Sequence, residues 1–177
     1  QAPMQQAAVP KATLRGGAKK PAKTVSLNQQ PAPQSVGQVA REVSYAPPPT
    51  NSATMFAWPV RGAVVAPYGA GDLGGWNDGI NIAAPAGTPV RAAADGQVVY
   101  RGNGLDGFGN TLLIRHSNGY VTAYAHNDSM LVKKGAHVRK GQIIAKVGES
   151  GDVSSPQLHF EIRKDVQALN PVTLLGK

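Results

Sequence analysis

The chain has 177 residues, enough for one domain of ordinary size and a tail, and its 18 Lys and Arg against 10 Asp and Glu give a net charge of +8. That charge favours anionic partners such as nucleic acid, anionic lipid or an acidic envelope polymer. The absence of cysteine excludes disulfide bonds and thiolate zinc sites, and no apolar run approaches the roughly 20 residues that span a bilayer.

Residues 1–54 predict a disordered or extended linker. They hold eight of the 14 prolines, with Ala, Gln, Lys and Ser between them, and their apolar residues show no sustained period. Such a segment cannot bury enough surface to offset the entropy lost on ordering. Six of its residues are basic and one is acidic, so weak contact with an anionic wall or membrane is the alternative to a spacer role. The chain lacks an initiator Met and a signal peptide, so we expect it to be a piece of a longer protein.

Residues 55–177 predict one all-β domain. Short β-type runs recur about every ten residues, separated by Gly, Asn and Asp. These runs are AVVAPYG, GQVVYRG, NTLLIRH, GYVTAYAH, QIIAKVG and QLHFEIR. No amphipathic helical window of about 12 residues occurs among them. We therefore expect a folded-over β-sandwich or barrel.

A glycine motif between two of these runs predicts a hairpin loop. Gly102, Gly104 and Gly107 fit the pattern G-x-G-x-x-G after a strand. The dinucleotide-binding fingerprint requires a helix next, whereas NTLLIRH is an alternating, β-branched strand. We therefore expect no nucleotide site here.

Strand parity sorts the four histidines, because alternate residues of a strand share a face. In GYVTAYAH it places Tyr124 and His126 on one face. In QLHFEIR it places Leu158, Phe160 and Ile162 on the face toward the core. It places Gln157, His159 and Glu161 on the other face, which we expect to be a polar surface or cleft. His116 and His137 adjoin turns, and we expect both to be solvated.

The order of several segments resembles the LytM/lysostaphin-type zinc endopeptidase domain of peptidoglycan hydrolases across residues 56–175. The matching segments are WPVRGAVVAPYG, WNDGINIAAPAGTPVRAAADGQVV, GFGNTLLIRHSNGYVTAYAH, VKKGAHVRKGQIIAKVGESG, SSPQLHFEIR and LNPVTLL. YAHNDSMLV is most similar to the divergent, NlpD-like amidase activators of Gram-negative bacteria. The resemblance implies the folded-over all-β hybrid fold of LytM peptidases. It also implies where a zinc site would lie.

In active members of that family, zinc is held by the His and Asp of a His-x-Gly-x-Asp segment and by the second His of a His-x-His segment. The first His of that pair and a Tyr-x-His histidine assist catalysis. By this resemblance Asn77 and Asn81 stand at the first two ligand positions, and Gln157 stands at the catalytic position. Only His126 and His159 keep the residue types of active members.

These substitutions remove the chemistry of a hydrolytic zinc site, which needs three strong protein ligands and one open position for water. Amide oxygens are neutral, and a glutamine cannot transfer a proton. We therefore expect no catalytic residue, no zinc and no other cofactor. The remaining alternative is metal binding through His159 with Asp78 or Glu161.

The cleft that holds zinc in active members is then expected to bind a partner in this chain. Trp76 and Tyr124 are candidate aromatic walls, and packing of Trp76 beneath its loop is the alternative. The predicted partner-binding groove consists of Asn77, Asn81, Tyr124, His126, Gln157, His159 and Trp76.

The resemblance implies a non-catalytic regulator in the periplasm, which activates an N-acetylmuramoyl-L-alanine amidase during cell division and binds no nucleic acid. It also implies a wall-associated or outer-membrane-anchored full-length protein, whose membrane contact would come only from a preceding N-terminal anchor. The alternatives are a peptidoglycan-binding module and a residual zinc endopeptidase.

Overall fold

The computed structural model describes residues 35–43, 56–71 and 74–176. Every described residue belongs to one compact unit, Pro31–Lys177. No helix within these three ranges is both long and apolar enough to cross a membrane.

A short helix, α1 (Val36–Val43), lies inside the segment for which the sequence predicts a disordered linker. Ser35 caps it, since its hydroxyl accepts from the Gln38 amide at 3.2 Å and its own amide donates to Gln38 Oε1 at 2.9 Å. Val36, Val39 and Ala40 share one face and are buried. Over these residues the prediction of disorder is wrong, because the apolar face of the helix packs against apolar residues of the sheet. The rest of residues 1–54 lies outside the described residues.

Twelve strands occur among the described residues, most of them bounded by Gly, Asn or Pro. They are β1 (Ala63–Ala66), β2 (Gly69–Ala70), β3 (Trp76–Asn77), β4 (Ile80–Ala83), β5 (Pro89–Arg91), β6 (Gly96–Gly102), β7 (Asn110–Arg115), β8 (Tyr120–Met130), β9 (His137–Val138), β10 (Ile143–Val147), β11 (Gln157–Lys164) and β12 (Gln167–Leu169). Single 3₁₀ turns lie at Ser117–Gly119 and Pro171–Thr173.

The strands pair antiparallel in the order β1-β4-β11-β8-β7-β6-β9, with β12 beside β11 and β10 between β5 and β8. β2 and β3 form a separate hairpin. The first half of β8 pairs with β7 and β11, whereas its last residues pair with β10, so β8 turns from one layer to the other. This is the folded-over all-β architecture that the sequence predicts.

The corner of β8 lies at His126. Its φ of 62° is a left-handed conformation that a non-glycine residue seldom adopts. There the register with β7 shifts, since Leu112 lies opposite Tyr124 but Asn110 lies opposite Asn127. The extra residue breaks the alternation of faces. Tyr124 and His126 therefore do not share a face, and the prediction from parity is wrong at this point.

Two apolar clusters lie on opposite faces of the main sheet. The larger one fills the space between the layers, with Ile80, Ile82, Leu112, Ile114, Leu158, Phe160 and Ile162 fully buried in it. In the smaller cluster, α1 covers the opposite face through Val36, Val39 and Ala40. We call the sheet and loop residues beneath α1 the apolar strip: Leu105, Leu113, Val121 and Ala123.

Candidate functional site

The register between β4 and β11 brings the predicted site residues together. Asn81 lies opposite His159, and on the other side of β11 His159 lies opposite Ala125 of β8. Leu158, Phe160 and Ile162 point into the core, so His159 points to the other face, as the alternation predicts. Asn77, from the neighbouring hairpin, reaches the same place.

The side chains at this place form a continuous hydrogen-bonded group, which we call the amide floor: Asn77, Asn81, Gln157 and His159. The Asn77 amide donates to Asn81 Oδ1 at 3.1 Å, and the Asn81 amide donates to Gln157 Oε1 at 2.8 Å. His159 Nδ1 lies 3.0 Å from Asn81 Oδ1. Asn77 is itself held by its own turn, because its Oδ1 accepts from the Gly79 amide at 3.0 Å. Asn81 is the junction of the group.

A line of charged groups continues from His159 along the same face of β11. Glu161 Oε1 lies 3.0 Å from His159 Nε2, and Glu161 Oε2 accepts from Arg163 Nε at 2.6 Å. Arg163 Nη2 donates to Asp78 Oδ2 at 2.6 Å. Glu161 is fully buried and Arg163 nearly so, although parity alone predicted a polar surface or cleft for Glu161. A buried charge must be paired, and here each is paired twice.

The environment of Glu161 keeps it ionised. Burial alone would raise the pKa of its carboxyl group, but the interactions with His159 and Arg163 outweigh burial and lower that pKa below its usual value. Burial likewise opposes the charge on Arg163, and Glu161 and Asp78 raise the pKa of its guanidinium despite it. A carboxylate only accepts, so Nε2 of His159 carries a proton toward Glu161.

His126 lies beside the amide floor, with its ring 6.0 Å from that of His159. Its Nδ1 lies 2.8 Å from the carbonyl oxygen of Ser150, which only accepts, so Nδ1 carries the proton and Nε2 remains an acceptor. Burial is the main cause that lowers the pKa of His126, which keeps the ring neutral at pH 7. Phe108 packs against both rings, stacked on His126 at 6.4 Å and edge-on to His159 at 5.1 Å.

Tyr124 and His116 are both buried, against the predictions made for them. Tyr124 is fully buried in the larger cluster, where its hydroxyl accepts from the Ala93 amide at 2.9 Å, so it is no wall of the site. His116 is only 3% exposed, against the expectation that it is solvated. Its ring nitrogens lie 2.7 Å from Asp95 O and 2.7 Å from Thr122 Oγ1. His137 is exposed, as predicted.

Trp76 stands at the rim of the site. It is 65% exposed, its ring meets that of Tyr68 edge-on at 5.8 Å, and its Nε1 donates to Asp78 Oδ1 at 2.9 Å. The alternative of packing beneath its loop is therefore wrong. Asp78 links this exposed ring to Arg163 and so to the charged line.

Sequence reasoning missed Phe108, Arg163 and the apolar strip. The sequence does carry two signals for α1. One is the capping pattern Ser-x-x-Gln at residues 35–38, and the other is the helical spacing of the apolar residues at positions 36, 39, 40 and 43. Nothing in the local pattern marks Phe108, because its neighbours are glycines and its partners come from β8 and β11.

The donor set of the amide floor does not fit zinc. A catalytic zinc ion takes three ligands such as imidazole or carboxylate, and here one imidazole faces three neutral amides. Of the two nitrogens of that imidazole, one is engaged by Glu161 and the other meets Asn81. Within the described part of the chain, no three His, Cys, Asp or Glu side chains are grouped so that they could hold a metal ion.

The chain is similar to known envelope proteins. The sequence profile of peptidase family M23 matches residues 75–171. The chain is 51% identical over 120 residues to the uncharacterized lipoprotein YgeR of Escherichia coli, covering 68% of this chain and 47% of that protein. It is 47% identical over 120 residues to the murein hydrolase activator NlpD of the same organism, covering 68% of this chain and 31% of NlpD.

A third relative is the cell division protein DipM of Caulobacter vibrioides, 44% identical over 135 residues, or 74% of this chain and 22% of DipM. The chain thus spans less than half the length of these three relatives. Among solved structures, the antimicrobial peptidase lysostaphin from Staphylococcus simulans matches with a TM-score of 0.62 and 27% identity, over 70% of this chain and 54% of lysostaphin.

Proposed function

This chain belongs to peptidase family M23, and we propose that within this family it is a non-catalytic regulator in the periplasm, which activates an N-acetylmuramoyl-L-alanine amidase during cell division. The observation that carries the proposal is the amide floor, whose three amides, by the family resemblance, would stand where active members have two zinc ligands and a proton carrier. Such a floor can bind a partner, but with one imidazole and three neutral amides it lacks the ligand set by which a zinc ion would activate water.

The names of the relatives support this function. NlpD is named a murein hydrolase activator and DipM a cell division protein, and neither name describes a peptidase. YgeR is named a lipoprotein, which supports a place in the cell envelope and an anchor in the full-length protein. The net charge of +8 is compatible with an acidic wall polymer nearby.

The partner would lie across the amide floor. A helix of the amidase that blocks its own zinc site is the segment we expect there, held by hydrogen bonds from the amides and by contact with Phe108 and the exposed Trp76. Activation then requires tighter binding to the open amidase than to the closed one, since a ligand shifts an equilibrium only by its differential affinity.

Dye release from labelled sacculi tests the proposal. The chain alone should release no dye, and it should increase release by a purified N-acetylmuramoyl-L-alanine amidase from the same bacterium. Release by the chain alone, abolished by a chelator, would establish a residual endopeptidase instead. Sedimentation with sacculi without stimulation of any amidase would establish a wall-binding module.

The variant Gln157→Glu should weaken stimulation. A carboxylate covered by the partner without a counter-charge should cost at least about 1.4 kcal/mol, which is about tenfold in the concentration giving half-maximal stimulation. Asn81→Lys should act in the same direction. Gln142→Glu is the matched control, because it makes the same change at an exposed turn, where the new carboxylate can still accept from the Arg139 amide. Full activity of both floor variants, with the fold verified by circular dichroism, would show that the amidase docks elsewhere.

A further inference from the structure

The amide floor and the apolar strip are two parts of one continuous surface. Glu161 and Arg163 follow His159 on the same face of β11, and they lie opposite Ala123 and Val121 of β8. Arg163 is four residues from His159, a distance of about 13 Å along a strand. Phe108 joins the two parts, since it touches both His126 and His159 and also packs against the cluster that contains the strip.

The strip is covered by a short segment of the same chain. Val36, Val39 and Ala40 of α1 are between 0% and 4% exposed, and their contacts are the strip residues. The helix also reaches the charged line, because a Cβ atom placed on Gly37 would lie 3.1 Å from Arg163 Nη1. α1 therefore lies on the same face of β8 and β11 as the amide floor, directly beyond its end.

The cover is only eight residues long and adds nothing to the larger core. An isolated helix of that length does not persist in water, so α1 is held by its apolar contacts and its Ser35 cap. A segment attached in this way can leave the sheet without unfolding it.

We propose that the apolar strip is the second half of the partner's docking surface and that α1 is its resident, displaceable occupant. This inference rests on the proposed activation of an amidase. A partner helix that starts on the amide floor and continues along the same face meets the strip, and it must displace α1 to bind fully. An amphipathic helix matches both halves, because its apolar stripe can replace the stripe of α1. Occupation of the strip by α1 lowers the apparent affinity of the chain for its partner. That affinity is the intrinsic one multiplied by the fraction of chains in which the strip is free.

The variant Val39→Glu tests this inference in the full chain. It places a carboxylate inside the smaller apolar cluster and should release α1 from the sheet. Gln38→Glu is the matched control, because it adds the same charge to the same helix at an exposed position and keeps an acceptor for the Ser35 amide. Hydrogen exchange of the α1 amides, measured by mass spectrometry, reports the release. Dye release from labelled sacculi with a purified N-acetylmuramoyl-L-alanine amidase reports the consequence.

We expect Val39→Glu to remove the protection of α1 and to lower the concentration for half-maximal stimulation about tenfold, with Gln38→Glu unchanged in both measurements. Loss of protection with unaltered or weaker stimulation would overturn the inference and leave the proposed function standing. If the α1 amides of Val39→Glu stay protected from exchange, α1 is not displaceable in the way proposed, and the inference is overturned. If neither the wild-type chain nor any variant stimulates an amidase, the proposed function fails, and the inference fails with it.

Discussion

At the scale of single residues, Asn81 decides the character of the site. Its oxygen accepts from the Asn77 amide and lies 3.0 Å from His159 Nδ1, and its nitrogen donates to Gln157 Oε1, so one side chain contacts three neighbours. Its two ends differ in chemistry, since the oxygen accepts and the nitrogen donates. A carboxylate at the same position would accept from Asn77 but could not donate to Gln157. The amide therefore stabilises this arrangement without a metal ion.

His116 predicts how stability depends on pH. Burial is the main cause that lowers its pKa to about 4 in the folded protein, while hydrogen bonding to the Asp95 carbonyl and the charge of Asp95 offset part of that effect. Its Nδ1 donates to that carbonyl, so Nε2 is the unprotonated nitrogen and lies 2.7 Å from Thr122 Oγ1. A proton on Nε2 would place a positive charge on a buried ring.

The sign follows from the number of bound protons. An unfolded histidine is protonated below about pH 6.5, so the unfolded chain holds more protons than the folded one between about pH 6.5 and pH 4. His116 should therefore reduce the free energy of unfolding by about 2 kcal/mol on going from pH 7.5 to pH 5. Urea denaturation at the two pH values should show this loss in the wild-type chain and a correspondingly smaller loss in His116→Gln. The same substitution at the exposed His137 controls for removal of a histidine as such. An equal loss in wild type and His116→Gln would contradict the assignment.

At the scale of elements, β11 is the strand on which the site depends. It pairs with β4, β8 and β12, its residues Leu158, Phe160 and Ile162 lie in the core, and its odd-numbered residues are Gln157, His159, Glu161 and Arg163. The site is thus built on the most tightly packed part of the sheet. A shift of β11 by one residue would bury the charges in the core and expose its apolar residues, so the register is strongly determined.

Gly79 allows β4 to begin close against β11. A Cβ atom at this position would lie 2.8 Å from Glu161 Cγ and 2.9 Å from the carbonyl carbon of Phe160. Gly79→Ala should therefore destabilise the fold by about 1–3 kcal/mol and disturb the amide floor, because Asn77 is held by the Gly79 amide. Urea denaturation measures the first effect.

Gly75→Ala is the matched control, since a Cβ atom there would meet no other atom within 4 Å. Its free energy of unfolding should stay close to that of the wild type. Equal stability of the two variants would mean that the approach of β4 to β11 is looser than the structure shows.

At the scale of the whole molecule, the two apolar clusters have separate roles. The larger one joins the layers and, among the described residues, includes none before Phe56, whereas the smaller one includes α1. The larger cluster should suffice for folding. The smaller one should instead determine whether the apolar strip is exposed.

A chain shortened to residues 55–177 should therefore still unfold cooperatively, with a free energy of unfolding lower by less than about 3 kcal/mol, since a few small apolar side chains are lost and their ordering entropy is regained. It should also bind an apolar dye such as ANS, because the strip is uncovered. A chain of residues 31–177, which keeps α1, is the control and should resemble the full chain in both respects. Failure of the shorter chain to fold would place α1 within the folding unit.

Much of the fold was predictable because a strand shows itself in the local alternation of apolar and polar residues. The alternation in QLHFEIR correctly separated the core side of β11 from the site side, and the segment after the Gly-rich loop was correctly predicted as a strand. The resemblance to a known family correctly indicated the architecture. The function of Asn77, Asn81 and Gln157 as partner-binding residues stays a prediction.

The predictions fail where a residue's surroundings come from distant segments. Tyr124 was assigned to the site because the alternation of faces was assumed to continue unbroken to His126. The bulge that breaks it arises only from the pairing of β8 with β7 and β10. His116 was expected in solvent because a turn follows it, but Asp95 and Thr122 enclose it. The linker was expected to stay disordered because its own apolar residues are few, yet α1 needs only the strip that the sheet supplies.

The sequence by itself determined the alternation of apolar and polar residues along the strands, the turns between them, and the identity of the amides where ligands would stand. These are local properties, since the period of a strand and the chemistry of a side chain belong to the residues themselves. Only the tertiary structure decided the corner at His126, the burial of Glu161 beside Arg163, and the cover that α1 places on the sheet. Each of these depends on which distant residue lies opposite, because burial and pairing are properties of the space between elements.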